Sequence, residues 1–165
     1  MAGSCHGEPI VTALDIGIDS FAYHRYFGDC NSWETPISER WTTSDFLRRA
    51  AVLGVGAVSL QTLYLPELTA SVDTLRDELT SLNLAPTLAW GHPDGLQGGT
   101  NPERFAALRA LLPKARDLGC RTVRFTCGSH FFFHMPAAER RARLLPLLKM
   151  LVADAAALDL ILAVE

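Results

Sequence analysis

The amino-acid sequence predicts an α/β protein with a parallel sheet, and within that class it favours part of a (β/α)8 TIM barrel. Apolar, strand-like segments alternate with helix-like segments, and no hairpin signal joins two strands. The loops rich in polar, aromatic and histidine residues follow strands, whereas the turns from helix to strand are short. In a barrel this asymmetry places the binding face at the carboxyl ends of the strands. An open, doubly wound sheet is the alternative, and it is weakened because the first strand–helix connection lacks GxGxxG and GxxxxGK[ST].

The chain begins with a segment, residues 1–13, that is expected to be flexible, and a partial barrel domain is predicted over 14–165. Alternation in LDIGIDSF predicts the first strand over residues 14–21. After a polar, turn-rich loop, TTSDFLRRAAVLG has the features of a helix, with Thr43 or Ser44 as its N-cap.

The second and third strands are predicted around another amphipathic helix. AVSLQTLYL predicts a strand over 57–65, and APTLAW predicts the next over Ala85–Trp90. Between them, residues 70–84 place apolar side chains on one helical face, and Asn83 is suited to the left-handed position that ends a helix. All these strands are apolar enough to be expected to be buried on both faces.

The last predicted units contain two prolines in long helices. One helix starts with Asn101 as its cap and carries Pro113, where a kink is expected. A strand over 122–127 follows, and then a helix over 137–158 that is expected to break or kink near Pro146. LILAVE then predicts a fifth strand.

The number of units is too small for a complete barrel. Such a barrel usually needs about 250 residues, whereas this chain has 165 and supplies four βα units and a fifth strand. An unclosed barrel leaves strand edges and apolar inner faces exposed. The sequence is therefore expected to be the amino-terminal piece of a longer protein.

Composition argues against several classes of protein. The formal net charge is −3 and the basic residues do not cluster, which opposes a nucleic-acid partner. No apolar stretch is long enough to span a bilayer, and the start lacks the pattern of a secretory signal. The four cysteines form no CxxC pair, so they are interpreted as reduced thiols in a cytoplasmic protein.

Four stretches together resemble a known superfamily. LDIGIDSFAYHRYFG at the first strand, AWGHPDGLQGGTNPE after the third, TVRFTCG at the fourth and LILAVE at the fifth are similar to the xylose-isomerase-like TIM barrels. That superfamily includes sugar isomerases and epimerases, dehydratases and, more distantly, the endonuclease IV group. The resemblance extends from about Leu14 onward, and it covers only the first half of the family's barrel.

The resemblance implies a divalent metal at the mouth of the barrel. In the family the metal is held by a Glu after strand 5, an Asp after strand 6, a His after strand 7 and a Glu after strand 8. Only the first has a counterpart here, Glu165, which the resemblance also implies as a proton-transferring residue. Mn²⁺, Mg²⁺, Co²⁺ or Zn²⁺ suit such ligands, and this chain alone is not expected to hold the metal. Without the resemblance, Glu165 is simply a solvated terminal residue.

Four further residues are predicted to bind substrate because they lie at strand ends. His24 follows the first strand and Gln61 lies near the end of the second, although a surface histidine and a side chain that satisfies backbone groups are the alternatives. In WGHPDG, Trp90 offers an aromatic face to a sugar and His92 offers an imidazole to its hydroxyl groups. Asp94 is assigned to the turn before Gly95.

Two other features have less specific interpretations. Arg124, inside a strand, needs a carboxylate or a bound anion, and a salt bridge at the base of the barrel is the expected outcome. His130 and His134 have the spacing of a zinc pair, but no HExxH pattern accompanies them. The phenylalanines at 131–133 are interpreted as a lid over the mouth.

The sequence thus favours the amino-terminal part of a metal-dependent isomerase or epimerase for a sugar, polyol or keto substrate, with no membrane or nucleic-acid partner. A dehydratase of the same superfamily and a non-catalytic half-barrel that self-associates as a homo-oligomer are the alternatives. An endonuclease IV-type enzyme is opposed by the absence of a histidine after strand 2. Beyond residue 165, the reading frame is expected to encode strands 6 to 8 with Asp, His and Glu at their ends.

Overall fold

The computed structural model describes residues 16–66, 68, 71–128 and 134–165. Segment 1–13, His130 and the phenylalanines at 131–133 lie outside the described residues, so the expectations for them stay predictions. Parallel strands form one sheet in the order β1-β2-β3-β4-β5. Their bounds are β1 Gly17–Asp19, β2 Ala57–Gln61, β3 Ala85–Trp90, β4 Thr122–Phe125 and β5 Ile161–Val164. Between them lie α1 Thr43–Val52, α2 Val72–Ser81, α3 Pro102–Leu118 and α4 Ala137–Ala156.

The third strand has the predicted bounds, whereas the first two end earlier than predicted. A 3-10 helix, Ser20–Phe27, follows β1 directly, and a second, Thr62–Tyr64, follows β2. At the first of these points Asp19 accepts a hydrogen bond from the backbone N–H of Phe21 at 2.7 Å. The side chain of Ser20 accepts one from the backbone N–H of Gln61 at 2.9 Å. Side chains thus take over the hydrogen bonds that a longer strand pair would make.

The helix start at α1 corrects the predicted cap. Thr42, rather than Thr43 or Ser44, is the N-cap, and it forms a capping box with Asp45. These hydrogen bonds from Thr42 lower the pKa of Asp45. Thr43 is unavailable as a cap because it is buried and donates its hydroxyl to the Tyr64 carbonyl oxygen at 3.2 Å.

Helix termini follow the sequence, but the prolines do not break the helices. Asn83 has the predicted left-handed conformation, and Asn101 caps α3 as predicted. However, α3 runs through Pro113 and α4 through Pro146 as single elements. Both prolines lie on the solvent-exposed side, where water can hydrate the carbonyl groups that lose their helical partners.

One face of the sheet packs against the helices and holds the core. Leu60, Leu88 and Phe125 on this face are almost completely buried. They belong to the same cluster as the following side chains of the helices: Phe46, Leu47, Leu75, Leu79, Leu108, Leu112, Leu151 and Ala155.

The other face of the sheet carries small and polar side chains. It lines a groove of about 430 Å³ with residues that include Gly17, Ala57, Ser59, Thr87 and Ala163. The expectation that the strands are buried on both faces is therefore wrong for this face. The alanine and threonine side chains of this face border open space rather than a second layer of helices.

The architecture is an incomplete barrel rather than a doubly wound sheet. Doubly wound sheets carry helices on both faces and reverse the strand order at a switch point. Here the strand order is sequential and the described helices share one core on one face. No helix in the described ranges combines the length and apolar character needed to cross a membrane.

Candidate active site

A cavity of about 500 Å³ lies at the carboxyl ends of the strands. It collects side chains from β1, β2, β3, β4 and the residue after β5, together with loops that follow them. The lining residues are Asp19, Phe21, Ala22, Gln61, Trp90, His92, Arg124, Thr126 and Glu165. The structure thus brings together four of the five predicted site residues: Gln61, Trp90, His92 and Glu165.

Asp19 is the most heavily hydrogen-bonded carboxylate of the cavity. Besides the Phe21 backbone N–H, it accepts from the hydroxyl of Ser59 at 2.5 Å, Nη2 of Arg124 at 2.9 Å and Nε2 of Gln61 at 3.4 Å. Ser59 and Gln61 come from β2, whose residues pair with β1 in register. Asp19 therefore joins the carboxyl end of β1 to the side chains of β2 and β4.

Glu165 continues the pairing of β5 with β4 and faces the cavity. Its backbone N–H donates to the Phe125 carbonyl at 2.9 Å, and its carbonyl accepts from the N–H of Cys127 at 3.4 Å. Its side-chain carboxylate accepts from Nη1 of Arg124. Glu165 therefore lies at the carboxyl ends of the strands, as predicted.

Arg124 lies between two carboxylates, Asp19 on one side and Glu165 on the other. The expected salt bridge therefore exists, but its expected location at the base of the barrel is wrong. Arg124 pairs with Ala163 of β5, and the next residue on the same face, two positions further along, is Glu165, directly after the strand. The guanidinium of Arg124 therefore lies at the carboxyl ends of the strands, beside the side chains of Asp19 and Glu165.

Two glycines allow the loop after β3 to pack closely against the end of β4. Gly95 has φ of 54°, and a Cβ there would lie 2.1 Å from the Thr126 carbonyl oxygen. Gly91 has φ of 104°, and a Cβ there would lie 2.9 Å from both Oγ1 of Thr126 and Cα of Gly95. The N–H of Leu96 donates to the same Thr126 carbonyl at 3.1 Å. This close approach holds His92, which lies between the two glycines, at the cavity wall.

Trp90 lines the cavity, but its ring also has a protein partner. The guanidinium carbon of Arg104 lies 5.0 Å from the ring centroid, within the range of a cation–π interaction. Arg104 is held there because its Nε donates to the Gly95 carbonyl at 3.0 Å. Any ligand that stacks on Trp90 therefore has to use the part of the ring that Arg104 leaves open.

His92 packs against an aromatic ring and faces a carboxylate. The rings of His92 and Phe21 meet edge to face at 4.9 Å. Nε2 of His92 lies 3.5 Å from Oδ2 of Asp29, which accepts the hydroxyl of Tyr64 at 2.6 Å. Burial, followed by this hydrogen bond, raises the pKa of Tyr64, so that the phenol stays protonated.

His24 lies outside the set of residues that line the cavity. Its Nε2 hydrogen-bonds the carboxylate of Glu34 at 2.9 Å, and its ring stacks on Phe21 at 4.8 Å. The Glu34 hydrogen bond raises the pKa of His24, and the same bond lowers that of Glu34. His24 thus contacts the cavity only through Phe21, and its predicted role in substrate binding stays a prediction.

The described residues do not form a metal site by themselves. Among them no three His, Cys, Asp or Glu side chains come together as possible ligands. Glu165 is engaged by Arg124, and His134 is described without the histidine that would complete its zinc pair. Burial raises the pKa of Cys120 to about 12 and raises that of Cys127 as well, which makes these two thiols poor nucleophiles.

Sequence reasoning missed Asp19, Phe21 and Thr126 as cavity residues. A signal for Asp19 was present, because it is a charged residue at the end of an apolar strand, as is Glu165. Predicting the strand as far as residue 21 placed Asp19 inside it and hid that signal. Phe21 and Thr126 have no comparable mark in the sequence.

Comparisons with known proteins give matches among solved structures only, since no family model and no curated protein matches the chain. A crystal structure of D-psicose 3-epimerase in the presence of D-fructose superposes with a TM-score of 0.63 and 16% identity, over 88% of this chain and 50% of that one. A xylose isomerase domain protein from Planctomyces limnophilus gives 0.62 and 14%, over 91% and 53%. L-ribulose 3-epimerase gives 0.64 and 19%, over 89% and 48%.

The chain has the fold of half a TIM barrel of the kind seen in these solved structures. This half-barrel spans about half the length of the solved structures it matches. The superpositions confirm the fold class expected from the alternating strands and helices. The coverage is consistent with the amino-terminal half of the barrel.

Proposed function

We propose that this half-barrel is the amino-terminal part of a divalent-metal-dependent isomerase or epimerase that acts on a sugar or sugar phosphate by proton transfer next to a carbonyl. The observation that carries the proposal is the cavity at the strand ends, which Glu165 lines together with several side chains that can form hydrogen bonds. Support at the level of fold comes from solved structures whose names include sugar epimerases.

In this proposal Glu165 is the base. Its carboxylate removes the proton from the carbon beside the substrate carbonyl, and the electrons of that C–H bond move toward the carbonyl oxygen. Arg124, Gln61 and His92 face the same space and supply N–H donors for the substrate oxygens. Trp90 and Phe21 provide apolar surface for the C–H face of the sugar.

The resemblance also implies Mn²⁺, Mg²⁺, Co²⁺ or Zn²⁺ in the intact parent, with Glu165 among the ligands. The described residues supply one of the four ligands that the family uses, so no step of the reaction is argued through the metal. A dehydratase would use the same carboxylate to remove a proton, and the products of turnover distinguish it from an isomerase.

The test is exchange of substrate hydrogen with solvent. The chain, extended by the coding sequence that follows residue 165, is incubated with ketoses and Mn²⁺ in D₂O, and deuterium incorporation beside the carbonyl is followed by NMR. Glu165→Gln is expected to reduce exchange by at least about 100-fold, the smaller end of what a general base contributes. Glu103→Gln, in the first turn of α3, is the matched control and is expected to leave the rate unchanged.

Two results would contradict the proposal. One is an exchange rate that Glu165→Gln leaves intact, which would remove Glu165 from the chemistry. The other is a downstream sequence without Asp, His and Glu at the ends of three further strands, which would remove the metal.

A second candidate, a half-barrel that associates with a copy of itself, is favoured by the exposed side chains of β5. Ile161 and Val164, on opposite faces of this edge strand, are 57% and 58% exposed. Light scattering coupled to size-exclusion chromatography tests it. A stable dimer supports self-association, and a folded monomer excludes it.

A further inference from the structure

We propose that a cleft between α3 and the segment that follows β2 is a second binding site, for a small carboxylic acid with an apolar body. The cleft has a volume of about 300 Å³. It shares Trp90 with the cavity of the candidate active site, and it shares no other lining residue with that cavity. The inference goes beyond the proposed function, because it assigns a ligand to a different part of the molecule.

The register of β3 and the sequence of α3 together create the space. Trp90 pairs with Phe125 of the core and packs against that core, so its side chain lies on the helix-facing side of the sheet. Helix α3 borders the same space with Ala107 and Ala110. Because both side chains are single methyl groups, they leave the space beside the indole unfilled.

The cleft has an apolar floor. Leu65, Leu68 and Leu111 line it, although each of the three is almost completely buried. Together with the indole of Trp90 they offer an apolar surface of the kind that small-molecule sites use.

Lys114 is the only charged residue among the described residues that line the cleft. Its ammonium group donates to the Leu68 carbonyl oxygen at 3.5 Å, and no ion pair among the described residues involves it. Arg109 on the same helix, in contrast, pairs with Asp154. An ammonium group has three N–H donors, so Lys114 keeps donors for the oxygens of a ligand.

These features determine the class of ligand. One cation beside an apolar surface is complementary to one carboxylate on an apolar body. A phosphate group carries between about 1.5 and 2 negative charges and three acceptor oxygens, which is more than Lys114 alone can match. The volume is at the lower end of the range of about 300 to 1,000 Å³ for small-molecule sites, which suits a ligand about the size of one ring.

The experiment titrates the 165-residue chain with benzoate and follows the indole N–H signals of its three tryptophans by NMR. The Trp90 signal, assigned from the spectrum of Trp90→Phe, is expected to shift, whereas the signals of Trp33 and Trp41 stay in place. Benzoate is expected to bind at least about 10-fold more tightly than benzamide, which has the same shape without the charge. Inorganic phosphate is expected not to displace benzoate.

Two pairs of variants separate the charge from the shape of the cleft. Lys114→Met is expected to lower the affinity for benzoate about 10-fold and to leave that for benzamide unchanged. Lys149→Met, at an exposed position on α4, changes the net charge equally and is expected to have no effect. Ala110→Leu fills the cleft from an exposed helical position and is expected to abolish binding of both ligands, whereas Ala106→Leu, outside the lining, is expected to preserve it.

Three outcomes overturn the inference. Benzoate leaves the Trp90 signal in place, or Lys114→Met binds benzoate as tightly as wild type, or Arg124→Met abolishes binding while Lys114→Met does not. The last result would place the carboxylate in the cavity of the candidate active site. If Lys114→Met does not fold, the comparison of benzoate with benzamide on wild type and the Ala110→Leu variant decide. The proposed function is tested separately, by deuterium exchange in the extended protein.

Discussion

Arg124 connects residues that are far apart in the sequence. Its guanidinium pairs with Asp19 at the end of β1 and with Glu165 after β5, so that one side chain of β4 joins both edges of the sheet. The pair with Asp19 is screened less than a surface ion pair because both side chains are about two-thirds buried, whereas Glu165 is exposed. The residue thus contributes to stability as well as to the charge of the cavity.

Replacing Arg124 by Met is expected to lower the free energy of unfolding by about 1 to 2 kcal/mol, because two charge-assisted hydrogen bonds are lost and two carboxylates are left facing each other. Urea unfolding measures the change. Arg48→Met removes an exposed pair with Asp45 and is the control, with an expected change within about 0.5 kcal/mol. Equal effects of the two substitutions would contradict a special role for Arg124.

The hydrogen bond between His24 and Glu34 predicts a pH effect. Glu34→Gln is expected to lower the pKa of His24 toward its ordinary value of 6.5, measured by NMR titration of the ring. Since the folded state raises the pKa of His24, the stability it contributes is present below pH 6.5 and is lost as the pH rises through the folded-state pKa. Since it lowers that of Glu34, the corresponding contribution is present above pH 4.5 and is lost as the pH falls through the folded-state pKa.

The stability difference between wild type and Glu34→Gln should therefore be largest between pH 4.5 and 6.5. Glu103→Gln serves as the comparison, because it lies on α3 and makes no contact with His24 in the described hydrogen bonds. If the stability difference between wild type and Glu34→Gln instead grows at high pH, the ion pair of His24 and Glu34 is not its source.

At the residue scale, the sequence identified site residues where a strand visibly ended. Gln61, Trp90, His92 and Glu165 all lie at or just after such ends, and the structure gathers them in one cavity. Asp19 escaped because its own side chain ends the strand, by accepting the Phe21 N–H. A sequence shows alternation of residue types, but it does not show when a side chain replaces the backbone as a hydrogen-bond partner.

At the scale of elements, the loop after β3 is defined by its contact with β4. Leu96 and Gly98 donate backbone hydrogen bonds to the carbonyl groups of Thr126 and Cys127. His92 therefore occupies a wall position that depends on a strand about 35 residues further along. The sequence marked WGHPDG as a turn, which was correct, but the surface on which the turn rests is a tertiary feature.

Gly95→Ala is expected to destabilise the fold by about 2 to 4 kcal/mol, since the new methyl group would collide with the Thr126 carbonyl in a backbone conformation that alanine disfavours. Gly54→Ala is the matched control: φ is also positive, at 71°, but no atom lies within 4 Å of the added carbon. Its expected cost is about 1 kcal/mol. Thermal or urea unfolding of both variants measures the loss in the free energy of unfolding. Similar losses for the two would mean that the close approach of Gly95 to β4 does not contribute to the cost of the substitution.

In the helices, some local sequence signals predict the structure better than others. Asn101 and Asn83 act as predicted because a cap needs only its neighbours in sequence. Pro113 and Pro146 do not end α3 and α4, and both lie on the exposed side of their helices. Which side of a helix faces water is settled by packing, and that information lies outside the local sequence.

At the scale of the whole molecule, the fold class follows from simple counting, whereas the polarity of the inner face does not. Alternating strands and helices with long loops after strands predicted a barrel, and sequential strand order with helices on one face confirms it. The strands read as apolar because alanine, threonine and valine look alike in a short run. Alternation along each strand separates them into an outward set that meets the helices and an inward set that meets the cavity, and only the fold shows which set is which.

Val164 offers a test of the proposed longer protein. In this chain Val164 is more than half exposed, so Val164→Lys is expected to change the free energy of unfolding by less than about 0.5 kcal/mol. In the protein extended beyond residue 165, a following helix would cover that face, and the same substitution is expected to cost at least about 2 kcal/mol. The control is Val52→Lys on α1, which is exposed and should change the free energy of unfolding little in either the 165-residue chain or the extended protein. If Val164→Lys also has a small effect in both proteins, completion of the barrel beyond residue 165 is contradicted.

The small residues of the inner face have one more consequence. Gly17, Ala57 and Ala163 occupy little volume in the groove they line, whereas the centre of a complete barrel is solidly filled by layers of side chains from alternate strands. If this chain forms one wall of such a barrel, bulky residues must reach across from the opposite wall. Strands encoded downstream should then carry large inward-pointing aliphatic or aromatic residues level with these three positions, a size complementarity that can be read directly from the gene.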